Sequence, residues 1–395
     1  MRLPIITIIL ILCVSLLVDW YIYTILKKRT KNKKCQRVHL CVSLALLIYI
    51  IVGVSIPRRS GSDDVFMSIM WILYSYATIL IPQIIFVLID LLSSIPLLFK
   101  GKRIKSVTFI GLGVAVLTFF AMWWGALFNR YNINVVAQDV FIENLPETFD
   151  GYRIAQISDL HVGTFDRDTT FVSNAVEAIN KQDVDMVVFT GDIVNRRATE
   201  LEAFVKTLSS LQSQDGVYSV LGNHDYGDYV NWTDDEEKIA DFNKLRSLQK
   251  SMNWKLLMNE TQFIYRGNDS IALIGVENWG DPPFPVYGDL KQSYKNLSDS
   301  TIKVLLTHNP AHWVAEIADN DSCNIALTLS GHTHAMQISI GSISPASWRY
   351  KTWGGKYEDN SKKHILYVNI GLGTVGIPTR IGANPEITIL TLRRK

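Results

Sequence analysis

Cysteine is scarce in this 395-residue chain, and its placement rules out a stapled fold. Cys13, Cys35 and Cys41 crowd the start, and Cys323 stands alone in the remainder. A disulfide framework is thereby excluded from the later part of the chain, and no C-x-x-C pair offers a zinc site. Charge is sparse too, at 19% of residues, and unevenly signed. Residues 1–130 carry 15 Lys and Arg against 4 Asp and Glu, whereas residues 131–395 carry 24 against 33. The whole-chain value of +2 therefore conceals a basic half and an acidic half. An acidic domain argues against nucleic acid as a partner, because that binding relies on Lys and Arg neutralising phosphates. The sequence has no internal repeat and no low-complexity stretch.

Apolar residues are abundant, at 48%, and the mean hydropathy is positive, high for a wholly soluble chain. They gather at 4–26, 38–57, 65–90 and 106–128, each run long enough to cross roughly 30 Å of hydrocarbon. The first run exceeds a signal-peptide core, precedes a strongly basic loop and lacks a small-residue cleavage site, so it reads as an uncleaved span. Trp20, Trp71, Trp123 and Trp124 lie toward segment ends, where interfacial aromatics collect. The loop from Lys27 to Arg37 holds seven basic residues, and Lys100, Lys102, Arg103 and Lys105 join the third run to the fourth. Between the second and third runs, Arg58 and Arg59 are offset by Asp63 and Asp64. The positive-inside rule puts both basic loops in the cytoplasm, and the N-terminus and everything after Phe128 outside. The expectation is an integral membrane protein with an extracytoplasmic domain. If 65–99 instead formed a hairpin of two short spans, broken at Pro82 and Pro96, the side would reverse. Asp19 and Asp90 fall near the cytoplasmic ends, where interfacial water is expected to solvate them.

Residues 129–150 read as an extended connector leading into a domain over 151–395. There, strands are predicted at 153–158, 186–190, 217–221, 270–276, 302–307, 325–329, 365–370 and 387–392. Helices are predicted at 170–181, 200–211 and 236–249. A β-α-β-α-β opening followed by further strands predicts an α/β sandwich, sheets in the middle and helices outside, preceded by an all-α bundle of about four transmembrane helices. Ligands of such folds gather beyond the carboxyl ends of strands. The stretch Asn278–Tyr287, with Pro282, Pro283 and Pro285, reads as a long loop over a site.

Five strand ends each deliver polar groups: Asp159-Leu160-His161, Gly191-Asp192, Gly222-Asn223-His224-Asp225, His308-Asn309, and Gly331-His332-Thr333-His334. Five of the eight histidines fall in these places. A single buried His or Asp is usually structural, but five clusters at successive strand ends point to one site. Asp-x-His puts two ligands on one side of an extended chain, and a preceding Gly allows the tight turn that aims a ligand inward. Six or seven mixed N/O donors exceed one tetrahedral zinc site and suit two divalent ions. Two ions can share a carboxylate, clamp a phosphoryl group and turn a bridging water into a hydroxide nucleophile. A remaining His can protonate the leaving oxygen.

The order D-x-H, G-D, G-N-H-D, H, G-H-x-H resembles the calcineurin-like metallophosphoesterase superfamily over about residues 150–392. The resemblance implies a four-layer α/β/β/α sandwich. It implies Asp159, His161 and His334 as ligands of a first metal, Asp192 as the bridge, and Asn223, His308 and His332 as ligands of a second. The metals would be Mn, Fe or Zn. His224 is implied as the general acid, with Asp225 as its orienting partner, and Asn223 and His224 as substrate contacts. Arg380 is the best basic candidate for a further substrate contact, with a salt bridge elsewhere as its alternative. The spans, Gly151-Tyr152-Arg153-Ile154, Ser158-Asp159-Leu160-His161 and the late Gly371-x-Gly373…Pro378-x-Arg380 resemble membrane-anchored bacterial members, which implies a bacterial cytoplasmic membrane as the location. That branch is often grouped by similarity with the UDP-2,3-diacylglucosamine pyrophosphatases of lipid A synthesis. One departure is Ala335-Met336, where many relatives have Gly-Gly after the last His. His312 reads as structural, and His364, beside Lys362 and Lys363, as exposed. The implied activity is hydrolysis of a phosphate ester or pyrophosphate, with a lipid-linked substrate suited to the membrane tether. A receptor or scaffold that uses the metals only for binding is the competing class.

Overall fold

The structure, a computed structural model, describes all residues except 1–4, 31, 58, 282–284, 295–296 and 321. The middle of the predicted loop Asn278–Tyr287 thus lies outside the described residues. The chain divides into two compact units, residues 1–127 with 376–379, and residues 128–375 with 380–395.

The first unit has four helices long and apolar enough to cross a membrane: α1 (Ile5–Arg29), α2 (Lys33–Ser55), α3 (Asp63–Leu92) and α4 (Lys105–Leu127). Asn32 and Ser62 cap α2 and α3, and Asp63 and Asp64 complement the amino end of α3. α3 is continuous through Pro82, so the third apolar run is one helix and not a hairpin. Helices approach closely where side chains are small: a Cβ on Gly53 would lie 2.4 Å from Ile72 Cγ2. Asp90, expected to be solvated, is instead fully buried. It pairs with Arg103, and its carboxylate accepts from Thr108 Oγ1 at 2.6 Å and Tyr21 Oη at 3.0 Å. In a low-dielectric interior a carboxylate persists only with such partners.

The second unit contains β1 (Asn134–Ile142), β2 (Arg153–Ile157), α5 (Thr170–Asn180), β3 (Met186–Phe189), the short α6 (Val205–Leu208), β4 (Val217–Ser219), α7 (Asp235–Ser251), β5 (Trp254–Leu256), β6 (Glu260–Arg266), β7 (Asp269–Gly275), α8 (Leu290–Tyr294), β8 (Ile302–Leu306), β9 (Leu327–Ser330), β10 (Gly355–Glu358), β11 (Ile365–Val368) and β12 (Glu386–Arg394). One sheet runs β1-β12-β2-β3-β4-β5 and the other β10-β11-β9-β8-β7-β6. Strand alternation explains the layering. Ile154, Met186 and Val188 from one sheet and Leu273, Val304, Leu306 and Leu329 from the other fill the space between the sheets. Their neighbours Ala155, Ile157, Val187 and Phe189 pack outward on α5 and the 198–208 helical turns. Leu305, Leu366 and Val368 pack outward on Trp313 and Ile317. This is the four-layer α/β/β/α sandwich, with the membrane helices before it in the chain.

Strands β5, β6 and β10 are not among those predicted from the sequence, and two further stretches differ from expectation. Within 129–150, β1 pairs in parallel with β12, from Asn134 beside Glu386 to Ile142 beside Arg394. The predicted helix over 200–211 is a 3-10 turn, Ala198–Phe204, followed by one turn of α-helix.

Candidate active site

β2, β3 and β4 run parallel to one another, as do β8 and β9. Their carboxyl ends carry the five polar clusters, as expected for a site at that edge of an α/β fold. Five of the seven expected ligands, Asp159, His161, Asp192, His332 and His334, have left-handed backbones with φ between 44° and 74°. Such φ values are uncommon for non-glycine residues and gather where surrounding structure enforces them. Gly191 and Gly222 make the approach possible. Gly191 has φ +97°, and a Cβ on Gly222 would lie 2.2 Å from Asp192 Oδ1.

The side chains converge in two groups, Asp159 with His161 and His334, and Asp192 with His308 and His332, each with its ligand atoms within 4.8 Å of one another. His161 Nε2 lies 3.2 Å from His334 Nε2, and His332 Nδ1 lies 3.2 Å from His308 Nε2. Asp192 lies between the groups. Its Oδ2 is 3.2 Å from His308 Nε2 and 3.6 Å from His161 Nε2, while its Oδ1 accepts the His224 backbone N–H at 2.8 Å. Asn223 adds a buried Oδ1 with no hydrogen-bond partner among the described residues, its Nδ2 being held by Tyr229 Oη at 2.8 Å. Facing imidazole nitrogens, two buried carboxylates and an orphaned amide oxygen form a donor set that divalent cations satisfy.

Backbone carbonyls set the tautomers. Val194 O lies 3.1 Å from His161 Nδ1, and Thr190 O lies 2.8 Å from His308 Nδ1, which directs both Nε2 atoms inward. His332 is turned the other way, with Nε2 3.1 Å from Tyr350 Oη and Nδ1 inward. Burial drives His161 well below the usual imidazole range, and burial with the neighbouring His308 takes His332 down to about 3. Burial opposes the charge of Asp192, but His308 and His224 outweigh it and hold the carboxyl well below the usual range. For His308 burial acts downward, and Asp192 overrides it to raise the group to about 9.

Three expectations are corrected by geometry. Asp225 does not touch the His224 ring. Its carboxylate accepts the backbone N–H groups of Gly222, Asp192 and Ile193, each at 2.9 Å, so it organises the turn that carries Asp192. Burial beside Asp192 pushes it up to about 7. The partner of His224 is the Asn195 carbonyl, 2.6 Å from Nδ1. Arg380, expected to touch substrate, is fully buried. It donates to the carbonyls of Gly373, Ala383, Ile370 and Gly371 and backs the His334 ring, with Nη2 3.3 Å from Nδ1. His364 is buried rather than exposed, its Nδ1 2.8 Å from Ile325 O. His312 stacks on Trp279 and reaches Thr307 Oγ1 at 3.0 Å, a packing role.

Sequence reasoning missed Asn195, Tyr229 and Tyr350. Tyr229 also stacks on His224, ring centroids 4.2 Å apart and 21° from parallel. It sits within Gly-Asn-His-Asp-Tyr-Gly-Asp-Tyr, where closeness to His224 in the chain is the one signal that could have found it. Tyr350 follows His332 by 18 residues through irregular chain, which leaves no signal.

Comparison with known proteins agrees with this geometry. The family description "Calcineurin-like phosphoesterase" matches residues 152–336. An uncharacterized metallophosphoesterase of Bacillus subtilis, YkuE, is 31% identical over 257 residues, covering 63% of this chain and 82% of that protein. The chain belongs to the calcineurin-like metallophosphoesterases. It is a phosphoester hydrolase by family. A second description, "Probable Calcineurin-like phosphoesterase, transmembrane domain", matches residues 1–130, which makes this metallophosphoesterase a membrane protein. An uncharacterized metallophosphoesterase of Campylobacter jejuni is 29% identical over 75% of this chain and 74% of its own length. A "Transmembrane protein with metallophosphoesterase domain" of Danio rerio is 30% identical over 66% of this chain and 57% of its own.

Proposed function

We propose that this metallophosphoesterase uses two divalent ions, one held by Asp159, His161 and His334, the other by Asn223, His308 and His332, with Asp192 shared. The observation that carries this reading is the position of Asp192 Oδ2, within 3.6 Å of a histidine from each group. Bound ions of this kind supply positive charge for a phosphoryl group and acidify water at the site. Hydrolysis joins a water oxygen to phosphorus and breaks the bond to the leaving oxygen, which needs a proton. His224 is placed to give it. The Asn195 carbonyl holds its Nδ1–H and leaves Nε2 for the substrate. Burial lowers the pKa of His224, and the charge of a bound phosphate favours the imidazolium that delivers the proton.

The catalytic unit lies on the extracytoplasmic side in this reading, supported by the basic loops after α1 and before α4 and by the even number of spans. A lipid-linked phosphate or pyrophosphate is the substrate class that suits a membrane-tethered hydrolase, and a site outside the cytoplasm disfavours an intracellular step of lipid A synthesis. The deciding experiment compares the full-length protein with Asp192→Ala, Asn223→Ala and His224→Ala on a chromogenic monoester and diester, with metal content measured alongside. Asp192→Ala and Asn223→Ala should abolish turnover and lose metal, and His224→Ala should lose rate while keeping both ions. Full activity in the first two would overturn the two-metal reading. A reporter fused at the C-terminus tests the side of the membrane.

A further inference from the structure

The stretch Ala335–Trp348, directly after the ligand His334, contains no charged residue. It is also where the catalytic unit exposes its largest apolar side chains. Among the described residues of that unit, Trp348 at 89%, Ile340 at 80% and Ile343 at 74% are the three most exposed large hydrophobics, ahead of Tyr265 on β6 at 67%. Single exposed apolar residues are ordinary, but three within nine positions form a patch that needs a partner. The patch is built rather than loose. Ile340 and Ile343 close a tight hairpin through N–H···O bonds of 2.8 and 3.2 Å, and Ser339 N donates to Ile381 O at 2.8 Å. Ser344 Oγ donates to Ala335 O at 2.6 Å and caps the 3-10 turn Pro345–Trp348. Both ends are tied to the site, through His334 on one side and the Tyr350–His332 contact on the other.

We infer that this hairpin and turn form a membrane-docking tip, inserted into the interface of the bilayer that the chain's own helices span. Three features select lipid over a protein partner. The tip combines two isoleucines with a tryptophan, the residue that favours the headgroup level of a bilayer. From Ala335 to Tyr357 the only charges are Arg349, Lys351 and Lys356, all basic, in a half of the chain where acidic residues outnumber basic ones 33 to 24. Arg349 is paired with Asp281 and Lys356 with Glu358, while Lys351 is exposed, as suits anionic headgroups. Finally, α4 ends at Leu127 and the catalytic unit begins at Phe128, so no linker separates it from the last membrane helix. The inference does not depend on which phosphoester the site hydrolyses.

The test uses the full-length chain with its four cysteines replaced by serine and a spin label at Ile343→Cys or Trp348→Cys. The control is Lys181→Cys on an exposed side chain of the same unit. In liposomes of phosphatidylcholine and phosphatidylglycerol, labels at 343 and 348 should be relaxed by oxygen and shielded from an aqueous nickel chelate, with the reverse at 181. Nickel relaxation at 343 and 348 equal to that at 181 would show a tip in water and overturn the inference. Shielding from both oxygen and nickel would overturn it in favour of a protein cover. Spin–spin broadening that disappears on dilution with unlabelled chain would assign the patch to a second copy instead.

Discussion

The substitution Tyr229→Phe isolates what one hydroxyl contributes to the site. The tyrosine Oη accepts from Asn223 Nδ2 at 2.8 Å, and this contact decides which end of the amide points inward. The other end, Oδ1, is buried without a partner and is the atom offered to a cation. A phenylalanine keeps the ring and therefore the stack on His224 at 4.2 Å. A neutral hydrogen bond contributes about 1 kcal/mol, and removing an outer partner of a metal ligand costs about 10–100-fold in affinity, or about 1.4–2.7 kcal/mol. Tyr229 is only half-buried, so water can replace part of the lost contact, and the lower end applies. Calorimetric titration of Mn(II) into metal-free, detergent-solubilised protein should show one site weakened about tenfold. The site of Asp159, His161 and His334 should be unchanged. Turnover at saturating metal should stay within about threefold of the parent, because His224 keeps its neighbour and its Asn195 contact. Two unchanged binding steps would refute the amide-locking argument. Collapse of metal-saturated turnover would refute it differently, by placing the hydroxyl in proton transfer or substrate binding.

The strained turn after His334 gives a second outcome. Ala335 (φ 51°) and Met336 (φ 46°) both adopt left-handed backbone, which costs a non-glycine residue about 1–2 kcal/mol, against about 0.5–1 kcal/mol of extra unfolded-state freedom for glycine. Met336→Gly should therefore raise stability by about 0.5–1 kcal/mol, a melting shift of about 2 °C by differential scanning fluorimetry. Ala335→Gly should be near neutral, because its fully buried Cβ is worth about 0.8 kcal/mol; a destabilised Met336→Gly would show that the side chain packs. Asp225→Asn should cost about 3 kcal/mol by chemical denaturation, since an amide presents a donor where three N–H groups point. Unchanged stability with a slowed rate would instead restore Asp225 as the partner of His224. Chelation should lower the melting temperature of the catalytic unit, and Asp192→Asn should reduce that drop; an identical drop in both proteins would separate the stabilising metal from Asp192.

The convergence of polar groups was legible in the sequence because each candidate ligand follows a strand, and strands announce themselves by apolar runs. What stayed hidden depends on the backbone. The partner of His224 is a carbonyl, and every residue has one, so Asn195 carried no mark. Asp225 was misassigned because adjacency in sequence suggested contact, whereas the turn Gly222–Asp225 directs consecutive side chains apart. Arg380 looked like an anion-binding residue, yet the chain folds its guanidinium onto four carbonyls. His364 follows two lysines, but it leads directly into the buried strand β11. β1 was read as a connector because its exposure alternates along an edge and its partner β12 is some 250 residues away, a pairing no local pattern encodes.

The distribution of ligands between the sheets links stability to chemistry. Asp159 and His161 follow β2 in one sheet, and their companion His334 follows β9 in the other. Asp192 follows β3 in the first sheet, and His308 and His332 follow β8 and β9 in the second. Each donor group thus spans the seam between the sheets, above an apolar interior of Met186, Val188, Val304, Leu306 and Leu329 and beside buried hydrogen bonds that already cross it, Gln156 Nε2 to Ser330 O at 2.8 Å and Tyr367 Oη to Glu386 Oε1 at 3.1 Å. Apolar packing tolerates small slides between layers, whereas a ligand set positioned to a few tenths of an ångström does not. A cation in either group would act as a cross-link from one sheet to the other. The left-handed backbone at five candidate ligand positions would then be strain that cation binding offsets, and the same contacts that prepare the site for a phosphoester would help hold the two halves of the sandwich in register.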